Sequence, residues 1–388
     1  MTFVPLPDID SEVVDIVRDL IAIDTSNFGD DSGPGEALAA EYVEAKLQEV
    51  GIACERYETT SGKRQGVYAR IPGSDSSRPA LLLHGHLDVV PARASDWTVD
   101  PFGGVVQDGM VWGRGAVDMK DGDGIILAMV RAWARAGVSP QRDIVLNFLP
   151  DEEGGSRHGS HWLVENRPDM FQGVTEAVGE VGGYSLTLEN NKRVYLVQTA
   201  EKGIRWLKLR AEGQAGHGSF INDDNAITKL AHEIAAVGEH RFALIETPTV
   251  RDFIKALSET LGIELSFDNP EELLSHLGPI ARIVGATLSN TANPTILRAG
   301  YKDNVIPGEA EAIIDGRFLP GYEDDLVRDV KALLPEGVFV EDEMYDVSVE
   351  SPFNVPLVDS IRSAIRAEDP LGTPVPYTLS GGTCLLYT

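Results

Sequence analysis

Apolar residues recur at helical spacing through the first fifty positions and then in short unbroken or alternating runs, and that change of period lays out the chain. From Asp10, with Ser11 as cap, SEVVDIVRDLIAI puts Val13, Val14, Val17, Leu20 and Ile21 on one stripe, which predicts a helix lying against a sheet. A second helix is predicted after Pro34-Gly35, carrying Leu38, Tyr42, Val43 and Leu47 and ending at Gly51. A strand over 52–57, the polar turn TTSGKRQG and a strand over 67–71 follow. Leu81 to Leu83 and Ile144 to Leu149 are unbroken apolar runs, the pattern of strands covered on both faces, and a weaker run spans Val174 to Val178. Between them, a helix over 122–136 is expected to bury Ile125, Ile126, Met129 and Val130. Helix alternating with strand predicts an α/β sheet.

Near residue 200 the period becomes two. Leu207, Leu209 and Ala211 alternate with Lys208, Arg210 and Glu212, so one face is buried and the sheet is expected to be antiparallel. A helix follows through Ala226, Ile227, Leu230, Ile234 and Val237, then an irregular helical stretch over 253–277. Strands return at 295–299 and 309–314 with the turn DNVIPG between. Residues 199–349 therefore read as an inserted α+β domain, and 1–198 with 350–388 as the domain that it interrupts.

Composition narrows the function. At 388 residues two domains are expected, and 43% hydrophobic with 24% charged residues describes an ordinary globular protein. A net charge of −28 argues against nucleic acid and against anionic membrane surfaces as partners. Two cysteines supply neither a disulfide framework nor a CxxC metal pattern, and Cys54 reads as a small core residue. The acidic start lacks signal-peptide character and no window approaches 18 apolar residues, so a cytoplasmic protein is expected.

The candidate chemistry sits where the apolar runs end. In LLLHGHLDVVP, His86 and Asp88 are two apart and share one side of an extended chain, so the carboxylate is placed to orient the imidazole. Asp118 precedes a helix, Asp151-Glu152-Glu153 follows the Ile144 strand, and Glu180 stands in AVGEVGG. Each has a plainer reading: a satisfied histidine, a helix cap, a solvated acidic run. Together, four separate strand ends are expected to deliver His86, Asp118, Glu153 and Glu180 to the carboxyl edge of a sheet, where α/β proteins bind ligands. A calcium site is disfavoured because imidazole is a poor partner for a hard cation.

LLLHGHLDVVP, GRGAVDMKDG, LPDEEGGS, VGEVGG, AGHGS, NVIPG, DGR and SGGT fall in order between residues 81 and 383, and as a set they resemble the M20 peptidases, the metallohydrolases that include aminoacylase, carboxypeptidase G2 and succinyl-diaminopimelate desuccinylase. The resemblance implies an α/β fold: a mixed-sheet, zinc-peptidase-like catalytic, metal-binding domain with an inserted α+β lid and dimerisation domain. It implies that His86, Asp118, Glu153 and Glu180 bind two zinc ions per chain, with Asp118 bridging them, and that Glu152 is the general acid/base acting on a water. Co2+ or Mn2+ would also suit such oxygen-rich ligation. It implies a cis peptide bond after Asp118, a role for His217 as oxyanion donor at a neighbouring subunit's site, and a homodimer. Arg317 reads either as a structural ion pair or as the fork that grips a substrate carboxylate. Asn304, Gly381 and Gly382 are expected to hydrogen-bond the same substrate, a small N-acyl amino acid or a peptide cleaved at an amide beside a free carboxylate.

The resemblance also calls for a histidine some tens of residues beyond SGGT and an aspartate directly after it. Here Cys384 follows, and all eight histidines lie upstream. Two expectations follow: a chain truncated or reframed near Cys384, or a metal site short of one ligand, in which case a non-catalytic binding or scaffold relative is the alternative.

Overall fold

The computed structural model describes residues 9–59, 62–188, 190–278, 281–335 and 338–382. The question raised by Thr383 and Cys384, and the tail of the domain predicted over 350–388, fall outside these residues. The chain divides into two compact units, one running to Glu180 and the other from Val181 to Gly382.

In chain order the first unit contains α1 (Ile9–Ile21), α2 (Ala37–Gln48), β1 (Cys54–Glu58), β2 (Gln65–Ile71), β3 (Ala80–His86), β4 (Val105–Gln107), β5 (Met110–Trp112), α3 (Lys120–Ala136), β6 (Ile144–Leu149), α4 (Ser160–Asn166) and β7 (Val174–Val178). Its main sheet runs β1-β2-β6-β3-β7, with β6, β3 and β7 parallel and the other two pairings antiparallel. Every residue of β6 is buried because both faces are covered. Ile144, Leu146 and Phe148 meet α1, α2 and α3, while Val145 and Leu149 meet Leu163 of α4 and the Met170-Phe171 turn. Cutting Leu146 to alanine removes contacts on a face that cannot close up, at a cost of about 2–5 kcal/mol.

Two predicted stripes are rotated. Leu38 and Ile125 are exposed, and the inward faces are Ala39, Ala40, Val43 and Leu47 on α2 and Leu127, Ala128 and Val130 on α3. The reason in α3 is close packing: a Cβ on Gly124 would lie 2.4 Å from Val17 Cγ2, so α1 presses on the glycine and turns Ile125 outward. Lys120, fully buried, ties the two helices by donating from Nζ to the carbonyls of Leu20 (2.9 Å) and Ile23 (2.8 Å). Cys54 packs half-buried against this core, as expected.

The second unit contains β8 (Gly182–Thr187), β9 (Arg193–Glu201), β10 (Gly203–Glu212), β11 (Gly216–His217), α5 (Ala226–Glu239), α6 (Pro248–Leu261), α7 (Pro270–Ser275), α8 (Ala281–Gly285), β12 (Thr291–Ala299), β13 (Val305–Ile306), β14 (Glu309–Phe318), α9 (Glu323–Ala332), β15 (Val338–Asp346), β16 (Val349–Glu350), α10 (Pro356–Glu368) and β17 (Thr373–Leu379). The antiparallel sheet β12-β14-β10-β15 buries Leu207, Leu209 and Ala211 against α5 and α9, as the alternation predicts. A second sheet pairs β9 with β8, β16 and β17. Val194 and Leu196 of β9 and Val375 and Tyr377 of β17 share a core with α6, so 181–198 and 350–382 pack within this unit rather than with the first. Strand pairing between residues as far apart as Val194 and Thr373 leaves no local mark, and the boundary expected at 198/199 falls inside β9.

Candidate metal centre

Three parallel strands end on one edge. His86 closes β3, Asp151-Glu152-Glu153 follows β6, and Glu180 follows β7. Asp118 comes from elsewhere: it lies in the turn ahead of α3, not at a strand end, and the Asp118–Met119 peptide is cis.

His86 is fully buried. Its Nδ1 faces the Asp88 carbonyl at 2.9 Å, and because a carbonyl only accepts, Nδ1 carries a proton and donates. Nε2 is thereby turned toward acids: Glu180 Oε2 at 2.9 Å, Asp118 Oδ1 at 3.1 Å and Glu152 Oε2 at 3.9 Å. Burial opposes the imidazolium, yet the hydrogen bonds to Asp118, Asp88 and Glu180 outweigh it and hold His86 well above the ordinary histidine range. Asp118 is correspondingly held low, chiefly by its hydrogen bond to His86. Burial, reinforced by Glu180, Asp88 and Glu153 against the pull of His86, pushes the Glu152 carboxyl up to about 8. Burial, with the Asp118 charge beside it, takes Glu153 to about 7.

So many carboxylates around one imidazole nitrogen call for a positive charge, and the donor set fits a metal ion. One ligand atom each from His86, Asp118 and Glu180 lie within 4.8 Å of one another, and so do atoms from His86, Glu152 and Glu153. The shorter separations match those between donors bound at about 2.1 Å to a shared zinc.

The Asp88 carboxylate does more than face the histidine. Its Oδ1 stands 3.5 Å from His86 Nδ1, whereas its oxygens accept the backbone N–H groups of Glu152 and Glu153, both at 3.0 Å, and the Asn27 amide at 2.8 Å. Asp88 therefore joins the β3 end to the acidic turn, and its own carbonyl orients the histidine. Burial works against its charge, but His86 first, and then the hydrogen bonds from Asn27 and the Glu152 amide, keep it below the usual aspartate range. Gly85 is required here by space: a Cβ would meet Asp123 Oδ1 at 2.3 Å and Met119 Cε at 2.7 Å. Trp97 lies under the Arg114 guanidinium at 5.4 Å.

In the second unit, β11 pairs with β13, His217 opposite Val305, and Gly218 N–H donates to the Asn304 carbonyl at 2.9 Å, so the GHGS and DNVIPG loops are neighbours. His217 Nδ1 accepts from the Ser219 N–H at 3.3 Å, which leaves an exposed Nε2–H as donor. Arg317 makes a two-pronged pair with Asp315, 2.6 and 3.2 Å, the structural ion pair that the sequence allowed. A Cβ on Gly382 would lie 3.8 Å from its Nη1, so the Gly381-Gly382 loop borders it. Asn304, however, precedes β14 at Glu309, and Arg317 lies eight residues further along that strand, roughly 27 Å at about 3.4 Å per residue. His217 with Asn304 and Arg317 with Gly382 thus occupy opposite ends of one sheet, and one small substrate within a chain cannot touch both.

The model of peptidase family M20/M25/M40 matches residues 82–386. The chain belongs to peptidase family M20. It is similar to an N-fatty-acyl-amino acid synthase/hydrolase of Xenopus tropicalis, 25% identical over 359 residues that make up 88% of this chain and 68% of the relative. It is similar also to aminoacylase-1 of Sus scrofa, 29% identical over 293 residues, 75% of this chain and 62% of that one, so it spans about two thirds of the length of these relatives. The fold is that of an M20 metallo-carboxypeptidase of Sulfolobus solfataricus, with a TM-score of 0.68 at 18% identity over 96% of this chain and 87% of that one. By family this M20 chain is a metallo-aminohydrolase, and no helix among its described residues is long and apolar enough to cross a membrane.

Proposed function

We propose that this M20 member cleaves an amide bond next to a free carboxylate, as an N-acyl-amino-acid deacylase or a dipeptidase. The observation that supports the reading is the gathering of Asp118, Glu152 and Glu180 around Nε2 of His86, with the Glu152 and Glu153 amides both fastened to Asp88. The names of the relatives favour acylated amino acids as the substrate class.

His86, Asp118, Glu153 and Glu180 would hold two ions, with Zn2+ preferred and Co2+ or Mn2+ acceptable. Such ions lower the pKa of a water and polarise the scissile carbonyl. Glu152 takes a proton from the attacking water and returns it to the leaving amine. In the metal-free chain burial pushes its carboxyl up to about 8, and bound cations would draw it down, toward the range where one group serves as both base and acid. His217, exposed and with Nδ1 taken up by Ser219, donates from Nε2–H to the developing oxyanion. Because His217 stands with Asn304 at the end remote from Arg317, those two would come from a second subunit, and Arg317, Gly381 and Gly382 from the first. A homodimer through residues 199–349, the lid and dimerisation domain in this reading, would supply both sets, and edge strand β12 leaves Ile296 and Leu297 exposed for it. A cytoplasmic location rests on composition alone.

Metal content per chain, measured beside hydrolysis of a panel of N-acyl amino acids and dipeptides, tests this reading. Two ions with turnover are expected; a chain that takes up no metal and hydrolyses nothing defeats it.

A further inference from the structure

We infer that Asn27, backed by Arg64, is a positioning residue that locks the Asp151–Glu153 turn to Asp88 and so presets the carboxylates of Glu152 and Glu153 for the metal. The inference rests on the metal-dependent reading above. Neither residue belongs to a recognisable motif: Asn27 stands in IDTSNFG, and Arg64 in the stretch that reads as a polar turn. Both are nevertheless buried, each 3% exposed.

The Asn27 side chain is used on both sides. Its Nδ2 donates to Asp88 Oδ2 at 2.8 Å and to Asp151 Oδ1 at 3.0 Å, while Oδ1 accepts from Arg64 Nη2 at 2.8 Å and from the Gly29 N–H at 2.9 Å. Its backbone N–H donates to the Val89 carbonyl at 2.8 Å, which fixes it to the chain just past Asp88. Only an amide offers donors to two carboxylates and an acceptor to a guanidinium from one planar group. Asp151, the hinge of the acidic turn, has φ +65, and its Oδ2 accepts the His158 N–H at 2.8 Å. Arg64 in turn bonds Glu36 and Asp31 and lies 3.5 Å from Asp151 Oδ1. Asn27 is therefore the donor shared by the two aspartates that flank the metal-facing glutamates, and Arg64 holds it in place.

Three variants of the full chain decide it: Asn27→Ala, Asn27→Asp and Arg64→Lys. Asn27→Asp keeps the volume but sets a carboxylate against Asp88 and Asp151, so a space-filling role predicts that it is milder than Asn27→Ala, and the positioning role that it is at least as severe. Zn2+ affinity is read by competition with a chromophoric chelator, and kcat and KM for an N-acyl amino acid are read at saturating metal. The expected result is affinity weakened about 10- to 100-fold and kcat lowered about tenfold in both Asn27 variants, with KM within about twofold. Arg64→Lys keeps the charge but loses the fork, and weakens affinity about tenfold or less. A folded Asn27→Asp with wild-type zinc affinity, or one milder than Asn27→Ala, overturns the inference. If the Asn27 variants do not fold, Arg64→Lys carries the decision by the same affinity measurement, and failure of all three to fold marks the network as purely structural and overturns it too. In each of these cases the wild-type chain still binds metal and turns over, whereas wild-type protein without metal uptake refutes the underlying reading and this inference with it.

Discussion

The two units treat their chemistry-bearing residues in opposite ways. In the first, His86, Glu152, Glu153 and Glu180 come from far apart in the chain and meet. In the second, His217 and Asn304 lie about one strand length from Arg317 and stay apart. Strand direction explains the difference. Parallel β6, β3 and β7 place all their carboxyl ends on one edge, so anything that follows such a strand arrives at the same place. Antiparallel β10 and β14 send successive loops to alternate edges, so loops one strand apart are held at opposite ends. Convergence is thus built into the first unit, whereas in the second the proposed substrate groups reach one site only if a second copy supplies His217 and Asn304.

The sharpest way to break this comparison is at the first edge. Glu152→Gln removes the proton carrier and keeps the shape; kcat is expected to fall about 10³-fold, with metal content unchanged. A variant that keeps more than a tenth of wild-type kcat would move the acid/base elsewhere. The next largest effect belongs to the split in the second unit. His217→Ala is expected to lower kcat about 10²-fold. Mixed with Glu152→Gln and allowed to exchange subunits, it should regain up to about a quarter of wild-type activity, because half the dimers are mixed and each then has one intact site of two. No recovery on mixing would place His217 at its own chain's site. Smaller again is Arg317→Lys, which loses the fork but not the charge and should raise KM about tenfold with kcat within about threefold. An unchanged KM with a lowered melting temperature would leave Arg317 as the partner of Asp315 and nothing more.

How much of this was legible depended on the same geometry. The unbroken runs at Leu81 and Ile144 announce buried strands, and the carboxyl ends of parallel strands are where ligands bind, so His86, Glu152 and Glu153 are found by reading three or four residues past each run. Alternation at Leu207 to Glu212 likewise gave the antiparallel sheet. What sequence does not carry is who lies behind whom. The Asp88 carboxylate, expected to face His86, also accepts two backbone amides that no motif announces. Arg64 in TTSGKRQG looks solvated but is buried among Glu36, Asp31 and Asn27, since its charge is satisfied by residues 28 to 37 positions earlier. Ion pairs of that reach have no period and no motif.

The smallest expected effect compares the units by pH in the metal-free protein. The carboxyls of Glu152 and Glu153 rise in the fold from an ordinary value of 4.5 to about 8 and about 7, so the folded state binds more protons than the unfolded one across that range. Stability from these groups is fully present below 4.5 and is lost as pH climbs toward 7 and 8. His86, also raised, acts in the same direction from 6.5 upward. The second unit holds the reverse case. Burial brings Lys202 down from 10.5 to about 7, where its ammonium donates to the Ala286 and Ser289 carbonyls and to Thr291. Its folded form binds fewer protons than its unfolded form between those values, so its contribution grows with pH above about 7 and is flat below. Between about pH 5 and 7, therefore, the first unit should lose a few degrees of melting temperature while the second holds steady, read by calorimetry or by hydrogen exchange resolved to each unit. Zinc should abolish the first unit's loss, because an ion takes the place of the protons that the acidic edge otherwise recruits. A first unit that grows more stable over this range, or a pH response that zinc leaves untouched, would mean that the gathered carboxylates are not a metal-binding edge.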